Sequence, residues 1–460
     1  MATNVRADGR NLDLGSAVTE VTARYAAANP GSRAQYEQAR ASMPGGNTRT
    51  GMFYAPFPLA IESAAGAALT DVDGHTYTDF VGDYSAGLYG HSHPVIREAV
   101  MSTLESGVSY GSASPYEARL AALVCARFPS VEQVRFTTSG TEGNILAMVT
   151  ARAVTGKDSI MVFEGAYHGG TIYFGREAAP IAVPFPFVIA PYNDAEEARR
   201  LIRENAHRLA AVLVEPLQGA SGAIPASAEF LGALREACSA HDVLLVFDEV
   251  MTSRVAPGGR QGQLGIVPDL TTLGKYIGGG FSCGALGGPA EILKIYDPSR
   301  PDSIVHHGTF NNNVFMLIAG AAGLEKVFTP EVQVALNETG DALRDALNGL
   351  AARRDVSFQV TGLGSILTMH LQREPIRSIR DIAPRDARLR QLLHLDLIDK
   401  GFFTARRGYM APCLAITDAD CDGLVEAVDD FLTHYGHLLD TVPEGGPIEA
   451  LPAAAGACTQ

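Results

Sequence analysis

Lys275 stands in the run Gly274-Lys275-Tyr276-Ile277-Gly278-Gly279-Gly280, directly after the apolar stretch Leu270–Leu273, and no other charged residue lies between Asp269 and Glu291. A lone lysine is ordinarily a solvated surface group. In this apolar, glycine-rich setting its ammonium is desolvated, its pKa falls, and the neutral amine can attack an aldehyde. Asp248 ends a second apolar run, VLLVF. A carboxylate there is costly to bury unless a cation meets it, either an internal Arg or Lys or the protonated ring nitrogen of a cofactor. Thr137–Gly143 combines hydroxyls and glycine between a strand pattern and a helix pattern. Free amides and a favourable dipole make such a helix start an anion site, with a simple Ser/Thr N-cap as the plainer alternative. Glu164–Gly170 follows another apolar run, and Tyr167 there could stack on a planar cofactor, although a Tyr-His pair is also an ordinary structural feature. Two nucleotide motifs fail. A P-loop needs Ser or Thr after its lysine, where Tyr276 stands, and the glycines of 278–288 do not keep the G-x-G-x-x-G spacing.

These groups need elements to position them. From about Ser92 to Gly323 helical patterns alternate with short apolar runs, the α/β signature. Predicted strands are Gln133–Phe136, Ser159–Phe163, Ala211–Glu215, Val243–Phe247, Leu270–Leu273 and Cys283–Gly287. Near-continuous apolarity suits strands buried on both faces of a mainly parallel sheet, whose ligands collect at the carboxyl ends of the strands. Before this region come predicted helices Ser16–Ala28, with Ser16 as N-cap and Asn29-Pro30-Gly31 as the stop, and Ser32–Ser42, then a hairpin turning at Asp73-Gly74. After it come a long helix, about Glu331–Ala352, two short strands in FQVTGLGSILTMHL, and a helix, about Ala419–Tyr435. The expected organisation is a mobile tail over 1–15, an N-terminal segment of a small α+β domain over 16–75, a large domain over 76–328, the rest of the small domain over 329–440, and a disordered Pro/Gly/Ala-rich tail over 441–460.

Bulk properties exclude other functions. A net charge of −15 leaves no broad basic surface for nucleic acid. The six cysteines form no C-x-x-C pair, so neither a zinc site nor a redox motif is expected. No signal peptide and no apolar run of the ~18 residues a membrane helix needs is visible, so the expected compartment is the cytoplasm.

The ordered set Ser139-Gly140-Thr141-Glu142, Tyr167-His168-Gly169, Glu215-Pro216, Asp248-Glu249-Val250-Met251-Thr252 and Leu273-Gly274-Lys275 resembles the class III aminotransferases, fold-type I pyridoxal-phosphate enzymes. The likeness runs over about Met43–Tyr435. DLTTLGKYIGGG and VFEGAYHGG are similar to the glutamate-1-semialdehyde aminomutases, and MPGGNTRTGMFYAPFPL, APYNDA, FDEVMTSRVAP and HHGTFNNNV to bacterial β-phenylalanine transaminases. The resemblance implies a seven-stranded, mainly parallel sheet with helices on both faces, pyridoxal 5'-phosphate as cofactor, and a homodimer with shared active sites. It further implies that Lys275 carries the cofactor covalently and then shuttles a proton. Ser139, Gly140 and Thr141 hold its phosphate, Tyr167 and Val250 cover the two ring faces, and Asp248 pairs with the ring nitrogen. His168 and Glu215 complete the cofactor site, and Thr309 reaches the phosphate of the neighbouring subunit.

Substrate recognition centres on two arginines, whose planar forks suit carboxylates. By the resemblance, Arg49 in GGNTRT binds the carboxylate of a β-amino acid, and Arg407 in TARRGYM the carboxylate of a 2-oxo acid acceptor, with Arg406 as the neighbouring alternative. Phe53, Tyr54 and Phe57 stand beside Arg49 and could line an aryl pocket or simply pack. The expected reaction is transamination of a β-amino acid, aromatic in character, to a β-keto acid with 2-oxoglutarate or pyruvate as acceptor. An aminomutase and a broad amine transaminase are the alternatives. A pyridoxal-phosphate-binding regulator would need a fused DNA-binding module, and none is visible.

Overall fold

The computed structural model describes residues 13–441 apart from 109 and 176. A seven-stranded sheet organises the chain. Its order across the sheet is Gln133–Thr137, Gly284–Gly288, Leu270–Gly274, Leu244–Asp248, Leu209–Val214, Ser159–Phe163 and Phe187–Ala190. Only Gly284–Gly288 runs against its neighbours; the central and far pairs are parallel. The strands Ser159–Phe163, Leu209–Val214 and Leu270–Gly274 are buried at every position, as a sheet covered on both faces requires. All six expected strands form, each shifted by two residues or fewer. The seventh, Phe187–Ala190, escapes the sequence reading because prolines crowd both its ends.

Register fixes what stands side by side at the carboxyl edge. Asp248 pairs with Thr272, Gly274 with Gly284, and Gly284 with Thr137. Glycine at 284 is required by contact: a Cβ there would lie 1.9 Å from the Ser139 carbonyl oxygen. The loop before the helix Gly140–Thr155 therefore rests directly on the sheet, next to the strand that delivers Lys275.

The N-terminal and C-terminal parts of the described residues come together around a second core. Leu14, Val21, Tyr54, Phe57, Phe80, Leu347, Leu397, Phe431 and Leu439 share one buried cluster, so residues near both termini pack as a unit. The pairing is also covalently distant in the sheets. Phe402–Phe403 joins the N-terminal three-stranded ribbon beside Thr76–Asp79, and Tyr409–Met410 extends the hairpin Gln359–Leu363/Ile366–His370. The Asp73-Gly74 turn forms between Ala68–Asp71 and Thr76–Asp79.

Several boundaries differ from expectation. The first helix is Leu14–Ala28, capped by Asp13, whose carboxylate accepts the Ser16 N–H at 2.8 Å; Ser16 is not the cap. Residues 14 and 15 are thus helical rather than part of a mobile tail, and the remainder of that expectation, residues 1–12, lies outside the described residues. The first helix ends at Ala28 as expected, but the next one is Pro30–Arg40 rather than Ser32–Ser42: Pro30 also begins it, because an N1 position has no hydrogen bond for proline to lose. The last helix runs on to Thr441, and the expected tail beyond it lies outside the described residues. Among the described residues no helix is long and apolar enough to cross a membrane.

Candidate active site

The carboxyl edge of the sheet gathers most of the residues singled out from the sequence. Lys275 follows its strand in a short 3-10 turn, Lys275–Gly278, with φ +55°. Its amine donates to the Tyr84 carbonyl oxygen. Burial brings its pKa down to about 8, the Asp248 charge opposing that shift and the Arg407 charge adding to it. About a tenth of the amine is therefore neutral and nucleophilic at pH 7, far more than for an ordinary lysine.

Asp248 is buried and, among the described residues, forms no hydrogen bond or ion pair with a lysine or arginine. Its Oδ2 accepts from Asn144 Nδ2 and His168 Nδ1, each at 2.8 Å, and its Oδ1 accepts the Val250 N–H at 3.0 Å. Asn144 is locked in turn. Its amide also donates to the His168 carbonyl at 2.9 Å, and its oxygen accepts from the Thr272 hydroxyl at 2.6 Å. Of the two expectations for this acid, an internal salt bridge to Arg or Lys is absent among the described residues. A carboxylate oriented by neutral or weakly basic donors remains, which suits a cationic ring nitrogen. The adjacent Glu249 does a different job: it is fully buried and accepts the Arg260 and Gln261 backbone N–H groups and the Thr252 hydroxyl, fixing the loop after the strand.

The helix Gly140–Thr155 starts directly after Ser139, where the anion site was expected. The Ser139 hydroxyl caps the helix by accepting the Glu142 N–H at 3.2 Å, so it serves as the N-cap too. Gly140 packs against Val250: a Cβ there would lie 2.9 Å from a Val250 methyl. Thr141 touches Gly169, where φ is +131° and a Cβ would lie 2.1 Å from the threonine oxygen. The helix start, the Tyr167–Gly169 segment and Val250 thus pack against one another. Tyr167 presents a ring that is 46% exposed, and its N–H donates to Glu215 at 2.7 Å. Glu215 is buried, and burial together with the nearby Asp248 charge pushes its pKa well above the usual carboxylate range.

The two arginines converge on one ring. Arg49 lies 5.9 Å from the Tyr84 ring and Arg407 lies 5.1 Å from it, while Tyr84 stacks on Tyr409. Arg407 is the member of its pair that faces Lys275 and Tyr167; Arg406 lies beside the buried His394. Tyr54 and Phe57 do not join the site. Both are buried against Tyr25, the Tyr54 hydroxyl accepting the Leu59 N–H and the Phe57 carbonyl accepting the Tyr25 hydroxyl, so they are core. Thr309 is exposed in the loop before the helix Val314–Lys326 and touches no other site residue. Sequence reasoning missed Asn144, Thr272, Asp83 and Tyr84. The available signal was a polar residue inside an apolar run, NILAMV or LTTL, and a Gly-Asp-Tyr-Ser turn that no motif singled out.

The model of the family described as aminotransferase class-III matches residues 52–432. The chain belongs to the class-III aminotransferases. It is a pyridoxal-phosphate enzyme of fold-type I that takes a small-molecule amino donor and a keto acid acceptor. The chain is 49% identical to the β-phenylalanine transaminase of Variovorax paradoxus over 426 residues, 93% of this chain and 98% of that protein. A crystal structure of a β-phenylalanine aminotransferase from the same organism superposes with a TM-score of 0.92 at 48% identity, covering 94% of this chain and 100% of that one. The glutamate-1-semialdehyde 2,1-aminomutase of Salinibacter ruber is 43% identical over 350 residues, 72% of this chain and 78% of that protein.

Proposed function

We propose that the protein transfers the amino group of a β-amino acid, aromatic in character, to 2-oxoglutarate or pyruvate. The observation that carries this reading is the pair of arginines beside Tyr84, two separate carboxylate forks 5.9 and 5.1 Å from the ring of the residue whose carbonyl accepts from Lys275. A β-amino acid places its carboxylate one carbon farther from the amine than an α-amino acid does. A donor and an acceptor of these two kinds therefore need two distinct clamps, Arg49 for the donor and Arg407 for the acceptor.

The residues fit the cofactor. Lys275 would carry it, the amides at Ser139–Thr141 would hold its phosphate, Tyr167 and Val250 would cover its ring faces, and Asp248, aligned by His168 and Asn144, would pair with its ring nitrogen. When bound, pyridoxal phosphate supplies an electron sink for the C–H bond broken at the substrate carbon. Every other task falls to the chain. Asp248 would face the ring nitrogen with its carboxylate. Lys275 would take the proton from the carbon bearing the amine and deliver it to the cofactor, so that the amino group can leave the donor. Glu215, its pKa raised by burial and by the Asp248 charge, supports the loop by accepting the Tyr167 N–H at 2.7 Å and the Gly219 N–H at 3.3 Å. Thr309 would contact the phosphate of a second copy. Val305 and Phe310, 72% and 64% exposed beside it, are apolar surface that a homodimer would cover.

The test compares β-phenylalanine with 1-phenylethylamine, which lacks a carboxylate. Arg49→Met should raise KM for β-phenylalanine at least tenfold and leave 1-phenylethylamine unaffected; equal effects on both would remove the clamp. The identity to the aminomutase favours a second reading, return of the amine to the same molecule. That reaction needs no 2-oxo acid, which separates the two.

A further inference from the structure

Four consecutive residues, Gly82, Asp83, Tyr84 and Ser85, have φ of +52°, +42°, +54° and +75°. Three of them are not glycine, and each such residue is held in the left-handed region at a cost that surrounding contacts must offset. Gly82 is tied outside the site, its N–H donating to Asp79 at 3.1 Å, whereas the contacts of the Tyr84 side chain and carbonyl lie in it. The Tyr84 carbonyl accepts from Lys275, the Tyr84 hydroxyl donates to the Gly51 carbonyl at 3.1 Å, and both arginines lie within 6 Å of its ring. Asp83, next in this strap, has one side-chain partner among the described residues: Arg49, whose Nη1 is 2.9 Å from its Oδ1.

That pair is end-on. Arg49 uses a single nitrogen on the carboxylate, and its Nε points at the Met52 sulfur at 3.1 Å, a weak acceptor. A guanidinium is shaped to grip a carboxylate through two parallel N–H groups, so its best geometry is left unused. Both side chains are about half exposed, at 52% and 53%, which makes the pair weak and replaceable without burying a charge. Asp83 also lies close enough for its charge to act on Lys275, which places it on the reacting side of the arginine.

We propose that Asp83 is a specificity-determining residue that occupies Arg49 in place of a substrate carboxylate and is displaced when one binds. The proposal rests on the assignment of Arg49 to the donor carboxylate. An internal competitor holds the arginine in position between turnovers, and only a ligand that offers a bidentate carboxylate removes it. A neutral amine gains nothing at this point, so the exchange sets how strongly carboxylate-bearing donors are favoured.

The experiment uses the holoenzyme and two unreactive ligands, 3-phenylpropanoate and its amide 3-phenylpropanamide, with binding measured by calorimetry. Asp83→Asn removes the competing charge and keeps a residue that tolerates positive φ. The carboxylate-over-amide preference should rise about two- to fivefold, the range set by the strength of an exposed ion pair. An unchanged or smaller preference overturns the proposal, because Asp83 would then merely brace Arg49. Arg49→Met separates this from failure of the underlying assignment. If Arg49→Met weakens 3-phenylpropanoate while Asp83→Asn does not tighten it, only the competitor role fails. If Arg49→Met leaves 3-phenylpropanoate binding intact, the assignment of Arg49 fails and this proposal falls with it. The double variant should bind both ligands as Arg49→Met does.

Discussion

Asn144→Ala removes the keystone beneath Asp248, and its cost can be worked from the hydrogen bonds it deletes. Asn144 donates to the buried Asp248 carboxylate at 2.8 Å and to the His168 carbonyl at 2.9 Å, and it accepts from the Thr272 hydroxyl at 2.6 Å. The bond to a charged group contributes about 1.5–3 kcal/mol and each neutral one about 1 kcal/mol, for a total of about 3–5 kcal/mol. Some of that is the penalty of leaving the Thr272 hydroxyl and the carboxylate short of partners in a site closed to water. The assay is urea unfolding of the apo-protein, paired with pyridoxal-phosphate retention after dialysis of the holoenzyme. Both should fall, because the carboxylate that meets the ring nitrogen loses its alignment. Asn144→Asp should be worse still, with its deficit growing as pH rises from 4 to 7 and two carboxylates come to face each other. A loss below about 1 kcal/mol for Asn144→Ala, with full cofactor retention, would refute the reasoning that this network positions Asp248.

Three further outcomes follow from the same geometry. The rate at which apo-protein takes up pyridoxal phosphate covalently, followed by absorbance, should rise about tenfold per pH unit below a midpoint near 8 and level off above it, since only the neutral Lys275 amine reacts; Lys275→Arg should show no such uptake. Glu215 has a raised folded-state pKa, so the native state holds an extra proton above the unfolded value and stability is lost as pH rises towards the folded value. Glu215→Gln should therefore gain on the wild type in urea unfolding as pH rises above the ordinary glutamate value of 4.5, and a difference independent of pH would contradict a raised Glu215 pKa. Gly140→Ala forces a methyl to 2.9 Å from Val250, an overpacking cost of about 1–3 kcal/mol, and should raise the dissociation constant for pyridoxal phosphate measured by equilibrium dialysis; unchanged binding would show that the helix start tolerates the shift.

The sheet was legible because its strands announce themselves by apolarity. Ser159–Phe163 is buried throughout and appears where the run of SIMVF places it. The cofactor end of the site was legible for a related reason: each polar group sits immediately after such a strand, so linear order carries spatial order. Lys275, Asp248, Tyr167 and Ser139–Thr141 all follow this rule. Asn144 and Thr272 were hidden because a buried polar residue inside an apolar segment looks like a tolerated exception until its partner is seen across the sheet. Tyr84 and Asp83 were hidden for another reason. Their role depends on four left-handed residues in a row, which propensity disfavours at Asp, Tyr and Ser and which only the surrounding contacts impose. Tyr54 and Phe57 misled in the opposite direction, since proximity to Arg49 in sequence says nothing about the face on which an aromatic ring packs; both turn into the core against Tyr25. Arg406 and Arg407 could be told apart only by the ring contacts of the latter.

The most direct test of the central claim is the stoichiometry of amine transfer from β-phenylalanine. Holoenzyme mixed with excess β-phenylalanine and no 2-oxo acid should convert one equivalent per active site and stop. Adding 2-oxoglutarate or pyruvate should restart consumption, with glutamate or alanine formed one for one. Continuous conversion without an acceptor would contradict the account and point to an aminomutase, and no conversion in either condition would remove the β-amino acid assignment altogether.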